Sequence, residues 1–505
     1  CVMYIRSKKN RSGSTSIVVV DKSSGKYKEL ITIGTSKDSQ ELERYHELGK
    51  QWIKDRSGLL EIDFHDHRKQ TEQFIGQINQ LLINGTELLL TKIFNEIGFS
   101  SIRDDVFKHL VLSRLSFPSS KRATVEYLKD YYGFEVDLNL VYRYLDDLYN
   151  KYKTDIQRIS VNHTRQILGG VIGIIFYDVT TLYFETDNED GLRKNGFSKD
   201  GKHQNPQIVL GLLVSRDGYP LTYQIFEGNK FEGHTMLPII SDFEKEYNIK
   251  GAVVVADAGL MSKQNIQELD RFNYQYIIGA KIKNESEKIK TWVLSQKITD
   301  GEFAELKKAN GKRLILGYCE KRARKDYHNR KKGLDRLEKL FKTGKLTKAS
   351  INKRGYNKYL KMDGEVQVQI DHNLFEEDGK WDGLKGYFTN TKLKANEVYS
   401  NYSNLWKIEN AFRITKSKIE IRPMFHFTPK RIEAHICICF VAYKVYKELE
   451  RQLKELRSSL SPDSAIKIAK TICTIKVTVP NSEETIEKVL LLTEKQKQLA
   501  KLFLF

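Results

Sequence analysis

Cysteine is scarce. The 505 residues hold five, Cys1, Cys319, Cys437, Cys439 and Cys473. That is too few, and too scattered, for a disulfide framework in a chain of this length. No Cys-x-x-Cys pair occurs, which excludes the usual zinc ribbon or finger. Cys437 and Cys439 sit in the apolar run HICICFVAY and read as core packing. No apolar run approaches the roughly 18 residues that span a bilayer. The start shows no charged-then-apolar signal-peptide pattern, so a reducing cytoplasm is the expected compartment. The chain opens on Cys1 rather than Met, so a clipped N-terminus is expected. Internal repeats and long low-complexity tracts are also lacking.

What the chain has is positive charge. Lys and Arg total 84 against 65 Asp and Glu, for a net charge of +19. Such an excess favours a polyanionic partner, above all nucleic acid; a merely basic soluble protein is the competing reading. Apolar residues make up 40% and aromatic ones 11%, enough for a large core. At about 150 residues per domain, roughly three domains are expected.

Periodicity divides the chain. Residues 1–64 read as a β hairpin, STSIVVVD and YKELITIG, followed by a charged helix. Residues 65–168 carry helical spacing and form a possible DNA-binding region. Within it, ATVEYLKDYYGFEVDLNLVYRYLDDL reads as helix, turn, helix, with Lys121, Arg122 and Arg143 supplying charge. An ordinary helical hairpin fits that text equally well. Residues 169–284 turn to buried strands and intervening helices, an α/β pattern with a mixed sheet. Residues 285–395 interrupt it with a basic, β-rich insertion that includes Lys321, Arg322, Arg324, Lys325, Arg330, Lys331 and Lys332. That basic run suits either a solvated face or DNA contact. Residues 396–458 return to helix, and 459–505 read as a helical tail.

Three acids stand out. Asp178 closes the apolar strand IIFYD, and Asp257 closes AVVVAD. Side chains where buried strands emerge commonly build sites, although an acid there also caps turns. Two carboxylates brought together repel unless a cation is shared. The third acid, Glu409, lies in YSNLWKIENAFRITK. There Tyr402, Glu409 and Lys416 recur every seven residues, which predicts one helical face, with Arg413 one turn beyond Glu409. A surface helix carrying a Glu409–Arg413 pair is the plainer reading of that spacing. Together the acids suit two divalent ions about 3.5–4 Å apart that activate a water or 3′-hydroxyl at a phosphodiester.

At these residues the chain resembles the DDE transposases of bacterial and archaeal insertion sequences. The resemblance is closest to the branch with a β-rich insertion and a Tyr-Arg-Glu-Lys signature. It rests on FYDVTTLYFET, GFSKDGKHQNPQIVLGLL, FEGNKFEGHT, VVVADAGLMSKQNI and YSNLWKIENAFRITKSKIEIRPMFH, in that order. It implies a ribonuclease-H-like mixed-sheet core, and Asp178, Asp257 and Glu409 as catalytic, metal-binding acids. The implied cofactor is a pair of magnesium ions, with manganese as a substitute. The implied partners are double-stranded DNA (inverted repeats and target) and a second copy of the chain. Tyr402, Arg413 and Lys416 are the expected contacts to end phosphates. Lys199, Lys202 and His203 are expected along the DNA path. The signature arginine is replaced here by Leu405. Asp200, Glu185 and Asp187 rank below the three acids, and His234 and His426 read as structural. The function implied is cut-and-paste transposition. A catalytically inactive DNA-binding relative and a structure-selective nuclease of the same fold are the alternatives.

Overall fold

A computed structural model describes residues 3–23, 25–57, 71–72, 74–198, 201–202, 204–249, 251–260, 262–309, 311–346, 350–352, 355–363, 367–479 and 484–505. The chain divides into two compact units, Cys1–Asn79 with Lys476–Ile486, and Gln80–Ile475 with Glu487–Phe505.

In the first unit, strands β1 (Met3–Lys9), β2 (Thr15–Asp21) and β3 (Lys28–Ser36) form an antiparallel sheet. β2 is central, and its β-branched run Ile17, Val18, Val19, Val20 is buried. Helix α1 (Ser39–Ser57) lies on this sheet, with the Tyr45 ring filling the space beside Gly34.

The short strand β4 (Ile78–Leu82) crosses the boundary after Asn79, and a helical layer follows it in the second unit. This comprises α2 (Gly85–Ile97), α3 (Asp105–Ser116), α4 (Lys121–Tyr127), α5 (Leu138–Asp147) and α6 (Lys153–Ile167). Side-chain caps start several of them. Asp104 accepts from the Phe107 amide at 2.9 Å, and Asp137 from the Asn139 amide at 2.8 Å. α5 buries Val141, Tyr144 and Leu145 at helical spacing. Its inner face is therefore core, and its outer face mixes Arg143 with Asp146 and Asp147. Lys121, expected to supply positive charge to the helix-turn-helix text, is buried, and burial pushes its ammonium well down.

The core is an eight-stranded mixed sheet in the order β10-β11-β14-β9-β8-β5-β6-β7. Its members are β5 (Ile174–Tyr183), β6 (Gln207–Ser215), β7 (Pro220–Glu227), β8 (Val253–Ala256), β9 (Gln275–Ala280), β10 (Phe303–Lys307), β11 (Arg313–Tyr318) and β14 (Leu384–Thr389). β5, β6 and β7 form an antiparallel meander, while β5, β8 and β9 run parallel. This is the ribonuclease-H-like arrangement. Helices α7 (Met236–Tyr247) and α8 (Lys263–Arg271) close one face around Ile240, Phe243 and Leu269. The other face meets the long helix α14 (Pro429–Glu455), which is buried along most of its length.

β10, β11 and β14 come from the span 285–395 and extend the core sheet from β9. The remainder of that span contains α9 (Glu287–Ser295), the 23-residue helix α10 (Glu320–Lys342), the hairpin β12 (Leu360–Asp363) and β13 (Gln367–Ile370), and α11 (His372–Gly379). A small core of Leu337, Tyr359, Leu360, Val368 and Phe375 holds it together. The basic run lies on α10, but one of its members is not on the surface. Arg330 is buried, donating to Asp382 at 2.6 Å and to the Phe375 carbonyl at 2.9 Å.

Helices α12 (Ala395–Ser403) and α13 (Trp406–Ser417) precede α14. The C-terminal stretch is not wholly helical. Between α15 (Pro462–Ala469) and α16 (Glu494–Phe503) lie two strands, β15 (Cys473–Thr478) and β16 (Thr485–Leu490). The alternating β-branched text CTIKVT accounts for β15. Among the described residues, no helix is long and apolar enough to cross a membrane.

Candidate active site

Side chains alternate along a strand, so the sheet sorts its residues between two cores. Tyr177, Ala256 and Ile278 enter the core shared with α7 and α8. Phe176, Val255 and Ile277 enter the opposite core, shared with α13 and α14. Asp178, Asp257 and Gly279 lie two residues further on and return to that second face. Tyr177 is the register partner of Ala256. Asp178 and Asp257 are the residues that follow this last register pair, Asp178 still on β5 and Asp257 just past the end of β8.

Asp178 is not at a strand end, as the sequence led us to expect. β5 continues to Tyr183 because β6 goes on pairing with it, from Asp178 opposite Leu212 to Tyr183 opposite Gln207. What ends at Tyr177 is the parallel ladder to β8. Asp178 Oδ1 accepts from the Val179 amide at 2.8 Å. Asp257 lies just beyond β8, where one carboxylate oxygen accepts from the Gly259 amide.

The expected single helix across 402–416 is broken. α12 ends at Ser403 and α13 begins at Trp406. Across the break the Leu405 amide donates to the Tyr402 carbonyl at 3.0 Å, and the Ile408 amide to the Leu405 carbonyl at 3.1 Å. Leu405 is drawn into the core, and the backbone tightens to put it there. Tyr402 and Glu409 thus belong to different helices, and only Glu409, Arg413 and Lys416 share α13. Ile408, Ala411, Phe412 and Thr415 form the buried stripe of α13. Glu409 is exposed beside that stripe, in the first turn, where the helix dipole favours an acid.

Tyr402 ties these elements together. Its hydroxyl occupies the space above Gly279, where any Cβ would collide with it, and it accepts from the Ala258 amide. Burial, followed by the charge on Asp257, pushes this phenol well up, so it stays protonated at neutral pH. Glu409 adds to that push, and Arg322 opposes it. Lys385, on β14, holds its ammonium 4.4 Å from the Tyr402 ring centroid. Burial, and then Arg322, lower its proton affinity, against the pull of Asp257 and Glu409. One end of the sheet therefore gathers Asp257, Glu409, Tyr402, Lys385 and Arg322, with Asp178 on the next strand. A cavity of about 670 Å³ opens here, lined among others by Ala258, Gly279, Arg322, Trp381, Lys385 and Tyr402.

The other expected contacts lie further off or apart. Arg413 is exposed and donates to Asn410 Oδ1 at 2.5 Å, rather than pairing with Glu409. Lys416 is half-buried in the last turn of α13. Lys202 is exposed, 5.5 Å from the ring centroid of Tyr183 at the far end of β5; Arg422 sits 5.5 Å from the same ring. Lys199, Asp200 and His203 lie outside the described residues. His426 is buried near His435, in keeping with a structural role. Lys385 and Gly279 carry no local signal in the sequence; only the order of the sheet makes them neighbours of Tyr402.

Among the described residues, no three His, Cys, Asp or Glu side chains lie close enough to hold a metal ion. The donor chemistry nevertheless suits a hard divalent cation. Two carboxylates come directly after the last register pair of adjoining strands, and a third acid shares the surroundings of the second.

The family model described as the transposase DDE domain matches residues 169–444. The chain belongs to the DDE transposase family. That span takes in β5 through α13 and most of α14, and so every element that carries one of the three acids. Members of this family are enzymes of DNA cleavage and transfer, and they generally use divalent metal ions. Among solved structures, a synaptic complex of piggyBac transposase with hairpin DNA is similar at 7% identity and a TM-score of 0.40, covering 76% of each chain. A comparison with curated protein sequences gives no match.

Proposed function

We propose that this DDE transposase binds the terminal inverted repeats of its own insertion sequence and moves that element by cut-and-paste transposition. Asp178, Asp257 and Glu409 are its catalytic and metal-binding acids. The observation that supports this reading is the register of β5 and β8, whose last pair, Tyr177 with Ala256, comes one residue before Asp178 and Asp257. Water attacks the phosphorus at the element's end. One P–O bond forms as the bond to the 3′-oxygen breaks, and the proton of the water passes to solvent. The freed 3′-hydroxyl then attacks a target phosphodiester in the same way.

The two magnesium ions that Asp178, Asp257 and Glu409 would hold, or manganese in their place, supply the charge that favours proton loss from the attacking group and steadies the leaving oxygen. The protein's own groups do the rest. The protonated Tyr402 hydroxyl donates to a phosphate oxygen. Lys416 and Arg413 take phosphates further along the end, and Lys202 takes the flanking backbone, with Lys199 and His203 in the same loop. The positive surface charge draws DNA in and makes binding strongly salt-dependent. A second copy of the chain completes a homodimer on the paired ends, in the cytoplasm.

The test is cleavage of a labelled duplex carrying the inverted repeats that flank the gene, with and without magnesium. Wild type is compared with Asp257→Asn. Magnesium-dependent cuts at the repeat ends, lost in the variant, are expected. Binding without cutting identifies an inactive DNA-binding relative. Cutting without preference for the repeat ends identifies a general nuclease.

A further inference from the structure

A lysine that is drawn into a cavity is ordinarily paired with an acid. Among the described residues, Lys385 has none within ion-pair distance. Among the described residues its ammonium makes no hydrogen bond or ion pair; it rests over the rings of Tyr402, at 4.4 Å, and Tyr387, at 6.0 Å. Keeping a partly buried cation without a direct partner is costly, so its place calls for an anion that arrives from outside. Arg322, in the first turn of α10, brings a second positive charge to the same cavity. Its own pair with Asp326, at 3.4 Å, is half-exposed and weak, and among the described residues most of its five guanidinium donors have no acceptor. Asp257 and Glu409 lie near Lys385 with negative charge. A phosphate approaching those acids is repelled unless cations meet it on the other side.

We propose that Lys385 and Arg322 grip one phosphate of the DNA strand at the mouth of this cavity, against Tyr402, and so position the phosphodiester that is cut. The proposal rests on the transposase reading above. The two residues suit the task differently. Lys385 acts as a point charge anchored on β14, and Arg322 offers a planar fork that can bind two oxygens at once. Both come from the segment between Asp257 and Glu409. That segment thereby supplies the cations that the strands bearing Asp178 and Asp257 lack.

The experiment uses repeat-end duplexes that each carry one uncharged methylphosphonate near the cleavage position, with Lys385→Ala, Lys385→Arg, Arg322→Ala and Asp257→Asn beside wild type. Retained DNA binding and an unchanged melting temperature identify folded variants. Lys385→Ala and Arg322→Ala are expected to cut about 10- to 100-fold more slowly, with Lys385→Arg recovering part of the rate. At one position the methylphosphonate slows wild type by a similar factor and slows Lys385→Ala no further. Suppose instead that Lys385→Ala cuts within twofold of wild type, or that every neutralised phosphate slows it as much as wild type, while Asp257→Asn is inactive. The phosphate grip is then wrong and the active-site reading stands. If Asp257→Asn cuts like wild type, the active-site reading fails, and the grip with it.

Discussion

The hydroxyl of Tyr402 fills the volume that a side chain at Gly279 would need. Gly279 has no positive backbone torsion to justify a glycine, so the requirement there is space. Gly279→Ala is expected to destabilise the fold by about 1–3 kcal/mol through overpacking. It is also expected to displace Tyr402 and slow cleavage more than it weakens DNA binding. Urea unfolding read beside cleavage rates checks both halves. An alanine variant with wild-type stability and rate would show that the contact does not constrain the site.

Glu409 and Arg413 separate two roles on one helix. Glu409 makes no hydrogen bond or ion pair among the described residues, so replacing it leaves no buried partner stranded. Glu409→Gln is expected to keep DNA binding and stability while cutting falls by more than about 100-fold. Arg413→Ala is expected to cut at a measurable rate but to bind DNA with a salt dependence lower by about one phosphate. Binding isotherms across a salt series, with cleavage on the same duplex, distinguish the two.

Buried histidines set an acid limit on stability. Burial, reinforced by Lys121 and Arg114, lowers His426 to about 3, and burial lowers His163 to about 4. Both are neutral in the folded chain, whereas the unfolded chain takes up their protons near the ordinary value of about 6.5. The stability tied to them is therefore full above about 6.5 and is lost as pH falls from there towards 3 or 4. The slope is at most about 1.4 kcal/mol per pH unit for each histidine. Denaturant unfolding at pH 7, 6 and 5 should show this fall, and His426→Asn should flatten it. A stability unchanged between pH 7 and 5 would contradict the argument.

Two neighbours in the basic run of α10 should behave oppositely. Arg330 is buried against Asp382 and Phe375, its guanidinium 4.3 Å from the Phe375 ring centroid. Arg330→Ala strands Asp382 and is expected to cost about 3–5 kcal/mol of local stability. Lys331 is exposed, and Lys331→Ala should change stability by less than about 0.5 kcal/mol. Its effect should appear in DNA affinity and its salt slope. Hydrogen exchange over α10 and the β12–β13 hairpin, paired with salt titrations, separates them.

Much of the core is legible in local text. The apolar runs around Asp178 and Asp257 form β5 and β8 because residues buried on both faces of a parallel ladder must be apolar throughout. The seven-residue spacing of Tyr402, Glu409 and Lys416 is legible too, but it misleads. Leu405, between the two helices, is buried among residues distant in the chain. Lys121 and Arg330 mislead for the same reason. Charge in a sequence reads as surface until packing encloses it.

The candidate acids, the apolar runs that precede two of them and the family pattern are readable from the chain alone, because periodicity and motif spacing are local properties. Tertiary packing alone joins β5 and β8 in one parallel ladder, puts the Tyr402 hydroxyl over Gly279 and gathers Lys385 and Arg322 near Asp257 and Glu409. Those relationships depend on strand order and on which core each face enters. Burial across the whole sheet sets both, and no single window of sequence contains them.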